Sequence, residues 1–502
     1  METCPDLNPS EEDESLKNVP TSLWATHANE VRLLLSAEPV HVTWKKNKPF
    51  PSVAQYPLSR DAERGIQPII DSLLQQGVLA FTSLPCNTPI LPVKKEGKFD
   101  SDGNQIYRFV QDLRAINSFV IPRHPVVPNP TVILTSIPAD AACFTVVDLC
   151  SAFFSIPLHP DSQFLFTFTF KGRQFTWTRI PQGYCESPSI LSQVLKADLD
   201  SVVFTQSSTL VQYVDDLLLC NPTKQGALTD SLILLKALAE RGHKASRFKL
   251  QWVQMTVTYL GHEISQGIQK LTPKRLESIL SIHLPKTKKQ LRKFLGAAGY
   301  CCQWILNFAA LAKPLYSLLP DITPEPISWP SEALNSFEAL KIALSMPPAL
   351  GLPNFDKPFH LYCHENNEIA TGILGQSFAS QIRPIAYFSC QLDPVASGMP
   401  PCLRAVAAAA TLIDKASTLT LGSPIHLYVP HSVSAILQVH RTQHVSTRRQ
   451  TTYEQALLTN PSIILHRCNT LNPATLLPLP DDGEPHSIPH DCLATIEMVS
   501  KP

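Results

Sequence analysis

The strongest constraint on how this chain can fold is a four-residue break in an apolar run. Tyr213-Val214-Asp215-Asp216 sits between Thr209-Leu210-Val211 and Leu217-Leu218-Leu219, two stretches that read as short strands. Strands meeting at two polar residues have the shape of a β-hairpin, although Asp-Asp is not the Asn-Gly or Asp-Gly pair that such turns favour. Successive carboxylates in a flat strand point to opposite faces, whereas at a tip both can approach one site, where like charges repel unless cations neutralise them. An isolated Asp-Asp pair is more commonly an exposed acidic turn. A second acid tips the balance: Asp148 ends Cys143-Phe144-Thr145-Val146-Val147, whose apolar character makes an unpaired charge costly. Asp148 with Asp215, with or without Asp216, could hold two divalent cations about 3.5–4 Å apart, suited to a phosphoryl displacement. Hard oxygen ligands favour Mg2+, with Mn2+ as a substitute.

At 502 residues the chain has room for roughly three to five folding units, and its 45 prolines imply extended connections rather than long helical arrays. Lys plus Arg and Asp plus Glu both number 42, which excludes a uniformly basic coat. Any polyanion site must come from segregated charge. Residues 1–30 carry seven acids against Lys17 alone and read as a solvated acidic tail. Between 223 and 313 fifteen Lys and Arg face four acids, which makes this the segment to suspect of holding phosphates. Ser59 to Gln76 has the apolar stripe of a helix, with Ser59 as its cap and Gly77 at its end. Strands are expected at 88–93, 106–110, 144–148, 164–170, 359–363 and 372–376, with helices across 284–319 and over 403–415. The 13 cysteines include no Cys-x-x-Cys pair, an argument against a structural zinc site or a disulfide framework. No apolar stretch reaches about 18 residues, and the acidic N-terminus lacks the order of a signal peptide. The expectation is a cytoplasmic protein without a membrane span.

An ordered set of motifs resembles the retroviral reverse transcriptases. Asp148-Leu149-Cys150-Ser151-Ala152-Phe153-Phe154 is followed by Ile180-Pro181-Gln182-Gly183-Tyr184, Ser187-Pro188 and Tyr213-Val214-Asp215-Asp216. Similarity to the gammaretroviral type extends to Leu91-Pro92-Val93-Lys94-Lys95, Val110-Gln111-Asp112-Leu113-Arg114, Tyr259-Leu260-Gly261, Phe294-Leu295-Gly296, Pro400-Pro401-Cys402-Leu403-Arg404 and the run from Leu471 to Pro480. The Tyr-x-Asp-Asp motif alone is moderately specific; the ordered set is very specific.

The resemblance implies an α/β (α+β) multidomain chain, a right-hand polymerase followed by an RNase-H-like connection domain. Its segments would be an acidic tail at 1–30, fingers at 31–118 with part of 155–185, palm at 119–266, thumb at 267–352, a non-catalytic connection at 353–480 and a linker at 481–502. Asp148, Asp215 and Asp216 would be the catalytic and metal-binding carboxylates. Lys95 and Arg108 would grip the incoming deoxynucleoside triphosphate, Gln182 would lie near the nascent base pair, and Phe153 would exclude a ribose 2′-hydroxyl. Packing in the core is the rival role for Phe153, because Phe154 is equally apolar. Asp112 and Arg114 would follow the template, Tyr259, Leu260 and Gly261 would hold the primer end, and Lys288, Lys289, Arg292 and Lys293 would track backbone phosphates. The implied partners are an RNA or DNA template with primer and deoxynucleotides. The polymerase core would be monomeric, once part of a larger Pol polyprotein and associated with virus particles in that setting.

Departures from the family lie around the metal site. Cys150 and Ser151 stand where relatives carry a base and an acid, Cys185 and Glu186 replace Lys-Asn, and Phe109 replaces proline. The pattern resembles an endogenous retroviral element, so the rival reading is a catalytically weak protein that still binds template-primer; a two-metal nuclease is a third. His364 occupies the place of an acid on the first connection strand, and the chain reaches Pro502 before a Thr-Asp-Gly-Ser-like strand. The expectation is a chain without the RNase H domain and without RNA-strand cleavage.

Overall fold

The computed structural model describes residues 14–27, 30–34, 36–99, 103–123, 129–438, 445–468, 472–476 and 492. The expected linker at 481–502 therefore lies outside the described residues except for Cys492, as do the first 13 residues of the acidic tail and parts of the Leu471 to Pro480 motif. The chain divides into two compact units, one of residues 1–133 and 141–259 and one of 134–140 and 260–502. This division is coarser than the expected segments and falls inside the stretch expected as palm, at 259/260.

The first unit contains β1 (Leu79–Thr82), β2 (Val93–Phe99), β3 (Gln105–Arg108), β4 (Cys143–Asp148), β5 (Phe168–Phe170), β6 (Arg173–Trp177), β7 (Thr209–Tyr213), β8 (Asp216–Asn221), β9 (Gln251–Gln254) and β10 (Val257–Tyr259). Its helices of eight residues or more are α1 (Arg60–Gln75), α2 (Ser187–Leu199) and α3 (Lys224–Arg241). One antiparallel sheet runs β7-β8-β4-β9. β4 lies in its interior and is buried along its length up to Asp148, which explains an unbroken apolar run rather than an alternating one. The Ser59 hydroxyl caps α1 by accepting from the Ala62 amide at 3.2 Å, and Ala62, Ile66, Ile70 and Leu73 form the buried stripe. The ring of Tyr107 occupies the space that a Cβ on Gly65 would need, which seats the β2–β3 hairpin on α1. The strand expected over 164–170 is confined to β5. Residues 164–166 instead make a turn of tighter helix that continues the Pro160–Gln163 helix, which His159 caps.

The second unit opens with β11 (His262–Ser265) and β12 (Ile268–Leu271), an antiparallel pair to which β13 (Leu350–Gly351) is added. Between them α4 (Pro273–Leu280), α5 (Lys288–Tyr300), α6 (Phe308–Tyr316) and α7 (Ser331–Ser345) enclose a core in which the Phe294 and Phe337 rings lie 4.6 Å apart. A five-stranded sheet follows, built from β14 (Phe359–Asn366), β15 (Ile369–Phe378), β16 (Gln381–Gln391), β17 (Ile425–Val429) and β18 (Ile463–Arg467) in the order β16-β15-β14-β17-β18. β14, β17 and β18 are parallel and the β14–β15–β16 meander is antiparallel. The alanine-rich α8 (Pro401–Thr420) packs on this sheet through Val406, Ala409, Leu412 and Ile413, and α9 (Thr447–Leu457) adds Tyr453 and Leu457. Among the described residues no helix is long and apolar enough to cross a membrane.

Candidate active site

Strand register brings the acids together. Asp148 at the end of β4 lies directly opposite Asp216 at the start of β8, and directly opposed residues share one face of a sheet. Tyr213 pairs with Asp216 across β7 and β8, so Val214 and Asp215 are the two turn residues of a tight hairpin. Val214 has φ +53°, a first turn position that favours glycine. A β-branched residue there holds about 1–3 kcal/mol of strain, which the surroundings must over-determine. They do so from several sides. Val214 is buried, the Leu149 amide donates to the Asp215 carbonyl at 3.2 Å, and the Tyr259 hydroxyl donates to the Asp216 carbonyl at 3.2 Å. Upstream, the buried carboxylate of Asp230 on α3 accepts from the amides of Thr205 at 2.9 Å and Gln206 at 3.1 Å, fixing the loop that leads into β7.

The charge balance of this corner is incomplete. Lys249 Nζ donates to both Asp148 oxygens, at 2.9 and 3.1 Å, and that bond raises the lysine's pKa. Among the described residues Asp215 and Asp216 have no such partner of their own. Burial pushes both carboxyls up, and the neighbouring acids add to the effect, taking Asp216 to about 6. Asp148, held by Lys249, stands opposite Asp216 and beside the turn that bears Asp215. A set of half-buried, mutually repelling carboxylate oxygens with one nearby ammonium fits divalent cations, which would supply the missing positive charge.

The remaining candidates fall into distinct settings. Lys95 and Arg108 are exposed on the β2–β3 hairpin, where Arg108 pairs with Val93. Phe153 and Phe154, indistinguishable in sequence, separate here: Phe154 is buried and stacks on Trp177 at 4.9 Å, while Phe153 is only partly buried. Gln182 is exposed in the turn before Gly183, whose φ is +93°. Arg114 forms a two-pronged ion pair with Asp112, Nε to Oδ1 at 2.9 Å and Nη2 to Oδ2 at 2.6 Å, beside a cleft lined by Val53, Tyr56 and Pro89. Tyr259 is buried, and Leu260 and Gly261 form a turn in which both φ angles are positive, +48° and +75°. On α5, Lys289, Arg292 and Lys293 are exposed along one stripe. Lys288 departs from the expected solvent-facing role, because it is buried and its Nζ donates to the Pro320 carbonyl at 2.7 Å.

Three features were not visible in the sequence. Glu186 is not an anion facing solvent: it is buried, accepts from the Tyr184 hydroxyl, and receives the Arg123 amide at 2.6 Å. Lys249 belonged to the basic run between 223 and 313, but nothing in that run pointed to a partner 101 residues away. Asp230 likewise gave no signal beyond being an acid in a basic stretch.

The family described as reverse transcriptase (RNA-dependent DNA polymerase) matches residues 93–264, and the RNase H-like domain found in reverse transcriptase matches 329–427. The second match bears out the expected RNase-H-like domain, and its presence leaves the expectation of a chain without an RNase H domain partly unsupported. The Pol polyprotein of Feline endogenous virus ECE1 is 44% identical over 448 residues, 88% of this chain and 42% of the relative. The Gag-Pol polyprotein of Avian reticuloendotheliosis virus is 41% identical over 485 residues, 95% of this chain and 41% of the relative. The chain thus spans less than half the length of these curated relatives. Among solved structures, the foamy viral protease-reverse transcriptase dRH in complex with double-stranded DNA gives a TM-score of 0.81 at 27% identity, covering 93% of this chain and 80% of that one. The foamy viral protease-reverse transcriptase in complex with RNA/DNA hybrid gives 0.81 at 27%, covering 96% and 64%. Both a reverse transcriptase domain and the RNase H-like domain found in reverse transcriptase are matched in order, and along most of its length the chain is similar to retroviral Pol polyproteins.

Proposed function

We propose that this chain is an RNA- and DNA-templated DNA polymerase, which joins a primer 3′-hydroxyl to the α-phosphate of a deoxynucleoside triphosphate and releases pyrophosphate. The observation that carries the reading is the direct opposition of Asp148 and Asp216 beside Asp215 on a buttressed, strained turn. These three carboxylates would hold two divalent ions, Mg2+ with Mn2+ as a substitute. When bound, such ions lower the pKa of the attacking hydroxyl and offset charge on the phosphoryl oxygens. The side chains do the positioning. Lys95 and Arg108 would grip the triphosphate, the guanidinium in two-pronged fashion. The partly exposed Phe153 ring would meet the sugar and reject a 2′-hydroxyl, Gln182 would touch the nascent base pair, and Asp112 with Arg114 would flank the template. Tyr259, Leu260 and Gly261 would hold the primer end, while Lys289, Arg292 and Lys293 would follow phosphates without reading sequence. Nucleic-acid-bound neighbours support a template-primer partner. A monomeric core, released from a Pol polyprotein and acting in the cytoplasm or the virus particle, completes the proposal.

The RNase H-like sheet is proposed to cleave no RNA, because its acids are already engaged: Glu365 by Arg404 and Asp393 by Arg449. The deciding experiment is extension of a DNA primer on an RNA template by the purified chain with Mg2+. Template-directed lengthening is the expected result. Salt-sensitive duplex binding with no incorporation would leave a binding protein, and primer shortening would make it a nuclease.

A further inference from the structure

The RNase H-like sheet carries a second group of ligand atoms that polymerisation does not use. Cys402, His431 and Cys492 each present one ligand atom, and these atoms all lie within 4.8 Å of one another. They come from three separate places. Cys402 is the second residue of α8, His431 follows β17, and Cys492 belongs to the C-terminal stretch beyond β18. Both cysteines are buried and neither is in a disulfide. Two buried thiols alone would be ordinary small apolar fillers. An imidazole wedged against them is not ordinary packing, and its geometry is specific: His431 Nδ1 stands 3.5 Å from Cys492 Sγ. Around a tetrahedral zinc with Zn–S of about 2.3 Å and Zn–N of about 2.0–2.1 Å, the sulfur-to-nitrogen edge is about 3.6 Å. The observed edge already matches that of a coordinated pair.

Ligand chemistry selects the ion. Thiolate and imidazole donors suit zinc and disfavour the hard Mg2+ of the carboxylate corner. Each thiol surrenders its proton when the metal binds. We propose that Cys402, His431 and Cys492 form a zinc site that fastens the segment bearing Cys492 to the start of α8 and to the loop after β17. The fourth position is left to water. With the first two ligands 29 positions apart and the last two 61 apart, no short-spacing motif marks the site.

The test uses the full chain, produced with zinc and exchanged into metal-free buffer. Elemental analysis should find one zinc per chain, and replacement by Co2+ should give thiolate-to-cobalt charge-transfer absorption. Cys492→Ser, which leaves α8 untouched, should weaken zinc binding by about 100-fold or more, as should His431→Gln. Chelation should speed proteolytic release of the peptide containing Cys492 by about tenfold or more, with primer extension unchanged. Two results would overturn the site. One is wild-type protein that retains no more zinc than the Cys402→Ser, Cys492→Ser double variant. The other is a Cys402–Cys492 disulfide, seen by intact mass, in metal-free wild type. Circular dichroism separates loss of metal from loss of fold.

Discussion

In the first unit, Asp215 and Asp216 crowd against Asp148 with Lys249 as the ammonium that reaches the corner, and that lysine is spent on Asp148. In the second unit the acids are distributed instead. The Glu365 side chain is little exposed but receives Arg404 Nε at 3.0 Å. Asp393 caps the Pro394–Ser397 helix and takes Arg449 in a two-pronged pair at 2.8 and 2.9 Å, which pulls its pKa down to about 2. Glu368 has Lys313 at 4.0 Å. Both units carry acids near strand ends, but among the described residues it is the first that leaves its negative charge unbalanced. Carboxylates that each own a cation have no use for a metal ion, whereas crowded ones with a shared lysine do.

The largest expected effect breaks the comparison from one side. Asp215→Asn should reduce primer extension by about 10³-fold or more, since several kcal/mol of transition-state stabilisation is at stake, while duplex affinity in a filter-binding assay stays within about twofold. Glu365→Gln is the matched change in the second unit and should leave extension untouched, lowering only the denaturation midpoint. Equal losses of activity in the two variants would abolish the distinction between them.

A second difference lies in pH. His262, buried in the second unit against Trp304 at 5.2 Å and facing Arg275, has its pKa pushed down to about 4, first by burial and then by the guanidinium. The unfolded chain takes up this proton near 6.5, before the folded one does, so the stability held by neutral His262 is complete above pH 6.5. It is lost as pH falls toward 4, by roughly 3 kcal/mol. Urea denaturation of the second unit from pH 7 to 4 should show this slope, and His262→Gln should flatten it. A slope unchanged in the variant would assign the acid sensitivity to other groups.

Phe153→Val sharpens the contrast between neighbouring rings. Removing a partly exposed ring should relax sugar discrimination by about 10–100-fold, measured as the ratio of deoxynucleotide to ribonucleotide incorporation. Phe154→Val should instead destabilise the first unit, because that ring stacks on Trp177. The reverse assignment of effects would exchange the roles of the two.

What the sequence made legible was local. The apolar run before Asp148, the strands around Asp215-Asp216 and the capped stripe of α1 are all written in consecutive residues, and each formed within a residue or two of where the pattern put it. What stayed hidden depends on contacts between distant positions. Phe153 and Phe154 share one apolar dipeptide, and only packing against Trp177 separates them. Glu186 reads as a surface acid until Tyr184 and the Arg123 amide enclose it, and Lys288 looks like its exposed neighbours until Pro320 turns it inward. Cys402, His431 and Cys492 show the same limit, since no periodicity connects them.

Lys249 offers the smallest and most discriminating test. Its ammonium competes with any divalent ion for Asp148, yet it also softens the repulsion that keeps three acids in one corner. Because the side chain is 65% exposed, solvent screens the pair, and its removal should be worth about 1 kcal/mol, or roughly fivefold in an equilibrium. If the lysine is chiefly a competitor, Lys249→Met should lower the Mg2+ concentration giving half-maximal extension by about two- to fivefold, because Asp148 is then free to bind the ion. If that concentration rises instead, Lys249 works alongside the bound ions, and the charge deficit drawn here for the first unit is smaller than the register of β4 and β8 implies.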